Sequence, residues 1–179
     1  MYQELIEFWF SEESSKYWFN STPAFDQALI DSYESTWVEA KQGKLDHWQQ
    51  SATGSLALVI LLDQFPLNMF RGQAKSFSTE SKSRDVARVA IDKGFDQELP
   101  PGQVSFLYMP FMHSEDLDDQ ALGVELFKKP GLENNYRFAR HHYNIVERFG
   151  RFPHRNKILG RESSEAEVEY LNSNEGFQG

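Results

Sequence analysis

The sequence predicts an all-α fold, and three observations carry that prediction. Apolar residues recur at helical spacing along nearly the whole chain and alternate at strand spacing almost nowhere. Start and stop residues bracket the periodic stretches, and breaks such as "LPPG" separate them. With 179 residues, 40% of them hydrophobic and 15% aromatic, the chain has material for a sizeable core. The expectation is one helical domain spanning 1–179, built of antiparallel helix pairs, with about 172–179 ("NSNEGFQG") as a frayed tail.

Taken in order, Thr22 and Pro23 form a helix start, N-cap then N1. The stripe Phe25, Leu29, Tyr33, Trp37 and Ala40 follows, up to a stop at Gly43. From about Ser55 to Gln64 the pattern is apolar on every side, which predicts a central helix buried all round. Thr79 through Lys93, ended by Gly94, turns Val86, Val89 and Ala90 inward and Arg84, Asp85 and Arg88 outward. After "LPPG" a helix interrupted near Pro110 resumes beyond the Ser114–Asp116 corner, giving a helical hairpin. Another helix is expected from about Leu132 to Phe149. A last one starts at Ser164, where Ser164 and Glu167 match the S-x-x-E capping box.

Composition narrows the function. A net charge of −9 and a pI near 5.0 repel a phosphate backbone at long range, so nucleic acid is not an expected partner. The absence of cysteine removes disulfides, thiolate nucleophiles and cysteine metal sites, and suits a reducing cytoplasm. The start "MYQELIEFWF" is acidic where a signal peptide is basic. The run "LALVILL" is too short to cross a bilayer, so no membrane association is expected.

Against that acidic background "ERFGRFPHRN" is an unusual stretch, packing arginines and a histidine among phenylalanines, a glycine and a proline. It echoes "DQFPLNMFRG". Each follows a helix with Phe-Pro, places an Asn two or three residues later and closes with Gly beside Arg, at Arg71–Gly72 in one and Gly160–Arg161 in the other. A reused helix stop, with Phe in the core and Pro opening a short turn, explains the echo physically. In the helix before the second corner, Phe138, His142, Ile145 and Phe149 fall on one stripe, so His142 is expected inside and His141 outside. Asp63, on the apolar face at the end of the central helix, needs a cationic partner. Arg71, Arg151 and Arg155 are the candidates. The run "HSEDLDDQ" reads most simply as a solvated N-terminal turn. A sharper alternative joins His113 and Glu115 to His142 and His154 as a zinc, iron or manganese site. There is no H-E-x-x-H, glycine-rich phosphate loop, nucleophile elbow or dinucleotide fingerprint.

The stretches "LLDQFPLNMFRG", "FLYMPFMHSEDLDDQ" and "HYNIVERFGRFPHRNKILGR", with "EFWF" and Trp18–Phe19 near the start, resemble the mostly bacterial family called domain of unknown function 924. That family is placed in the tetratricopeptide-like helical superfamily. The resemblance implies a compact tetratricopeptide-like helical bundle and supplies no activity. Its pattern falls on Asp63, Gln64, Pro66, Asn68, Arg71, His113, Glu115, Gln120, His142, Arg151, His154, Arg155 and Asn156. Leu67 stands where the family usually carries Arg, and Glu80 where it usually carries Asp, so the Asp63 corner has one cation fewer.

These observations place a polar pocket where the "HSED" corner and the two Phe-Pro corners converge. The leading expectation is a binding module for a small anionic ligand or an acidic peptide, held by Asp63, Asn68, Arg71, Arg151, Arg155 and Asn156. One alternative is a hydrolase, metal-dependent or acid-base, using His142, His154 and Glu115, with a divalent metal as possible cofactor. A structural protein-interaction domain is the other.

Overall fold

The computed structural model describes residues 1–177, and among them are nine α-helices, four short 3-10 turns and no strand. Contacts group the chain into two compact units. The first comprises 1–71 and 75–110, and the second 72–74 and, of the described residues, 111–177.

The first unit holds α1 (Tyr2–Trp9), α2 (Glu12–Ser15), α3 (Pro23–Lys41), α4 (Ala52–Met69), α5 (Glu80–Asp92) and α6 (Pro101–Met112) as far as Pro110. The α3 start is as the sequence predicts: Thr22 Oγ1 accepts from Phe25 N, Pro23 opens the helix, and Leu29, Trp37 and Ala40 are buried. α4 is the axis of this unit, packed against α1, α3 and α5. Its residues from Leu56 to Leu62 are wholly buried, because no face is left for water. By length and composition α4 resembles a membrane span, yet 89% of it is buried inside the protein.

Around one end of α4 gather Trp9, Phe10, Trp18, Phe65 and Phe106. Ring centroids lie 4.8 Å apart for Trp18–Phe106 and 5.3 Å for Trp9–Phe65. Tilted and edge-on pairs like these add to the burial of the rings themselves.

Two proline expectations are corrected here. α4 runs through Pro66 instead of stopping at Phe65, and α6 runs through Pro110 to Met112. Pro66 has no N–H for the carbonyl of Leu62 four residues back. That carbonyl is instead taken by the Thr79 hydroxyl at 2.6 Å, which in turn accepts from Trp37 Nε1 at 3.1 Å. The bond the helix loses is made elsewhere, so the helix continues. In α5, Val86 and Ala90 face inward as expected, but Val89 is exposed. The buried positions are Glu80, Ser83, Val86, Ala87 and Ala90, a face that leaves Val89 out.

Gly54 sets how closely α4 approaches the turn Asp46–Gln50. Its N–H donates to the N-cap Ser51 Oγ at 3.1 Å, and an added Cβ meets the Trp48 carbonyl oxygen at 2.2 Å. Gly54→Ala is therefore expected to destabilise by roughly 1–3 kcal/mol, as overpacking does, despite alanine's better helix propensity. A urea midpoint equal to or above wild type would show that the turn yields instead.

The second unit holds α7 (Leu117–Leu126), α8 (Glu133–Phe149) and α9 (Glu165–Asn172), with α7 packed on α8. α8 buries Ala139, His142, Ile145 and Val146, and ends at Gly150 with φ 71°, a left-handed position that suits glycine. Phe138 is 51% exposed, so the expected stripe is right at His142 and Ile145 and off by one position in the second turn. The Ser164–Glu167 capping box forms as predicted. Ile145, Val146, Phe152 and Tyr170 make the local core, with Phe149, Leu171 and Phe177 packed against it. Of the tail expected to fray, the segment to Phe177 returns onto this core, and 178–179 lie outside the described residues.

Candidate functional site

The two Phe-Pro corners turn out to be different structures. After Phe152, which adopts the extended backbone favoured before proline, Pro153 opens a 3-10 turn, Pro153–Arg155. This sharp turn places Arg151, His154, Arg155 and Asn156 around one point, to which the chain returns at Arg161 and Glu167.

Two carboxylates organise the cluster. Glu115 accepts from Phe152 N at 2.8 Å, and both its oxygens are taken by Arg161 at 2.8 Å. Burial opposes its ionisation, but the Arg161 hydrogen bonds and the Phe152 N–H outweigh that and hold its pKa below the usual carboxylate range. Glu167, almost fully buried, accepts from Arg151 Nε and Nη2 at 2.7 and 2.9 Å, from Ser164 N at 2.8 Å and from Asn156 Nδ2 at 3.2 Å. Its pKa falls to about 2, chiefly through Arg151. Asn156 Oδ1 accepts from Arg161 Nε at 2.9 Å, which ties the two ion pairs together. Arg155 Nη2 donates to the His113 carbonyl at 3.0 Å, and the guanidinium lies 4.9 Å from the Phe152 ring centre.

The histidines form a separate face. His142 Nδ1 is 2.8 Å from the Phe138 carbonyl; a carbonyl only accepts, so the neutral ring carries its proton on Nδ1. Burial drives its pKa down to about 3. His154 is lowered to about 4, by burial first and then by the neighbouring Arg155 charge. Its Nδ1 is buried without a hydrogen-bond partner among the described residues. Both rings pack edge-on to Phe177, at 4.8 Å from His142 and 5.0 Å from His154. His141 is exposed, as its place on the helix predicts, and its ring lies 5.8 Å from Phe177.

The "HSEDLDDQ" run caps helices. Asp116 accepts from Asp118 N and Asp119 N at the start of α7, Ser114 Oγ donates to Asp119, and Gln120 donates to the Met112 and Ser114 carbonyls at the end of α6. Asp119 and Gln120 are buried, so only its first turn, Asp116–Asp118, is solvated.

The metal expectation gains no support from this geometry. Among the described residues no group of three or more His, Asp or Glu is arranged to hold a metal ion. Of the four expected ligands, Glu115 has both oxygens on Arg161, and His142 directs Nδ1 at its own helix.

Asp63, Asn68 and Arg71 belong to the first unit. Asp63 is wholly buried and accepts from Gln64 Nε2 at 2.6 Å. Two cations proposed as its partners are engaged elsewhere: Arg151 with Glu167, and Arg71 Nε with Asp26 at 2.9 Å. Asn68 donates to the same Asp26, at 2.9 Å. A cleft of about 270 Å³ beside Glu4, Tyr33 and Trp48 contains none of the expected site residues.

Sequence reasoning missed Arg161, Asp26 and Phe177, and saw Glu167 only as a cap. The one available signal was the Gly160–Arg161 pair, which the repeat of the Phe-Pro stretch had already marked. Neither Asp26 nor Phe177 stands in any motif.

A search of curated proteins returns no match. Among solved structures, one described as a protein of unknown function, ATU0120, from Agrobacterium tumefaciens matches with a TM-score of 0.91 and 39% identity, covering 96% of each chain. The family model described as "Bacterial protein of unknown function (DUF924)" matches residues 5–175. With nearly its whole length matched, the chain belongs to the DUF924 family.

Proposed function

We propose that this protein is a non-covalent binding module whose second unit receives a short acidic peptide. The observation that carries this reading is that a peptide already lies there: the chain's own segment 173–177, with Phe177 against His142 and His154. Charge complementarity supports it. Apart from Arg151 and Arg161, which Glu167 and Glu115 engage, α8 exposes Arg137, Arg140 and Arg148, a local cationic face in a protein of net charge −9.

Of the two ligand forms the sequence suggested, the small anion is the less favoured, because the forks of Arg151 and Arg161 are engaged with Glu167 and Glu115. The hydrolase reading needs a general base with a pKa near 7. His142 and His154, at about 3 and 4, are too weakly basic for that role. Helices packed in sequence, α3 on α4, α4 on α5 and α7 on α8, fit the tetratricopeptide-like arrangement that we adopt as part of the reading. A cysteine-free chain fits a cytoplasmic setting.

Thermal melting beside a pool of acidic hexapeptides, a matched basic pool, inorganic phosphate and zinc tests this. The acidic pool is expected to raise Tm, less so at high salt. Stabilisation by phosphate or zinc with none from the acidic pool would overturn the reading.

A further inference from the structure

The segment after α9 does not trail away. Ser173 Oγ donates to the Tyr170 carbonyl at 2.7 Å and accepts from Glu175 N at 3.2 Å, closing a tight turn that reverses the chain. Gly176 then passes so close to the end of α9 that an added Cβ would lie 2.7 Å from both the Tyr170 and Leu171 carbonyl oxygens. Beyond it, Phe177 N donates to the Tyr170 hydroxyl at 3.1 Å, which fixes where the ring goes.

The ring goes among imidazoles. His142 and His154 meet it edge-on at interplanar angles of 69° and 89°, and His141 at 79°. Phe152, 1% exposed, lies 5.5 Å from His142 and 5.6 Å from His154. Edge-on approach between rings is the arrangement their charge distributions favour, so this place selects a flat aromatic group over an aliphatic one. Phe177 itself is only partly buried and sits at the edge of the local core, as a removable group would.

We infer that the space between His142 and His154 is a receptor for one aromatic side chain of an incoming peptide, and that Phe177 fills it in cis and competes with that peptide. The inference rests on the peptide-binding reading above and adds its specificity: an acidic segment bearing Phe, Tyr or Trp, of the kind that Glu175-Gly176-Phe177 exemplifies. The in-cis occupant reduces the apparent affinity for a partner by the fraction of time the receptor is open.

The test uses fluorescence anisotropy of a labelled Asn-Glu-Gly-Phe amide and its Asn-Glu-Gly-Ala counterpart, with the whole chain as wild type, Phe177→Ala and Gly176→Ala. Phe177→Ala empties the receptor. Gly176→Ala keeps the phenylalanine but blocks its route, and so guards against an effect of lost packing alone. Both variants are expected to bind the Phe peptide at least about tenfold more tightly than wild type, with no gain for the Ala peptide. Equal affinity of all three proteins for the Phe peptide would overturn the inference. Equal binding of both peptides would overturn it too, while leaving the peptide-binding reading standing; no binding of either peptide to any of the proteins would remove both. A wild-type dimer that Phe177→Ala dissolves would place a second copy's segment in the receptor and overturn the in-cis assignment.

Discussion

Glu115→Ala is expected to cost about 2–4 kcal/mol and to lower the melting temperature by roughly 5–15 °C. Three hydrogen bonds converge on this one carboxylate: two from Arg161 and one from the Phe152 N–H at the start of the "FPHR" turn. Removing it strands a guanidinium whose other contacts are Asn156 Oδ1 and the Phe152 carbonyl at 3.2 Å. It also leaves a backbone donor without its acceptor, which is the costlier kind of loss. The pair is about a quarter exposed on each side, which sets the figure below that of a fully buried pair. Glu115→Gln keeps an acceptor for Phe152 N and is expected to lose about half as much. A double-mutant cycle with Arg161→Ala isolates the coupling, expected at about 1–3 kcal/mol. If Glu115 serves only an outside ligand, Glu115→Ala will melt within a degree of wild type, and the structural role assigned here fails.

Local features of the fold were legible because their causes are local. Thr22–Pro23 and Ser164–Glu167 are helix starts written in three or four residues, and the structure forms both. His142 was placed inside by spacing alone, and it is buried. The errors arise where a distant residue changes the local outcome. Pro66 reads as a stop until Thr79, thirteen residues on, supplies a donor for the carbonyl that the proline leaves open. Phe138 and Val89 were assigned inward from an ideal stripe, and a one-position shift of the buried face turns both out.

The site was half legible for the same reason. "HSED" and "GRFPHRN" stood out by composition, and Glu115 does meet Phe152. The partners that decide their chemistry are Arg161, forty-six residues from Glu115, and Glu167, sixteen from Arg151. No periodicity encodes such pairings. They follow from the turn at Pro153–Arg155, which reverses the chain so that α9 brings Glu167 under Arg151. An arginine-rich string that looks like a ligand site in one dimension thus becomes, once folded, largely its own counter-ion network.

Glu167 gives the network a pH signature. Its folded pKa of about 2 lies below the ordinary 4.5, so its stabilising contribution is complete above about pH 4.5 and disappears as pH falls toward 2. A shift of this size corresponds to about 3–4 kcal/mol. His142 and His154 are also depressed, from 6.5 to about 3 and 4, so they add their own loss of stability as pH falls below 6.5. The raw acid limb therefore mixes both kinds of group. Comparing wild type with Glu167→Gln separates them, because the histidines are common to the two proteins. Urea unfolding of the pair is expected to show a difference of about 3–4 kcal/mol at pH 6–7, shrinking steadily between pH 4.5 and 2. A gap that stays constant through that window would mean that the carboxylate's shape, and not its charge, holds Arg151, Ser164 and Asn156 together.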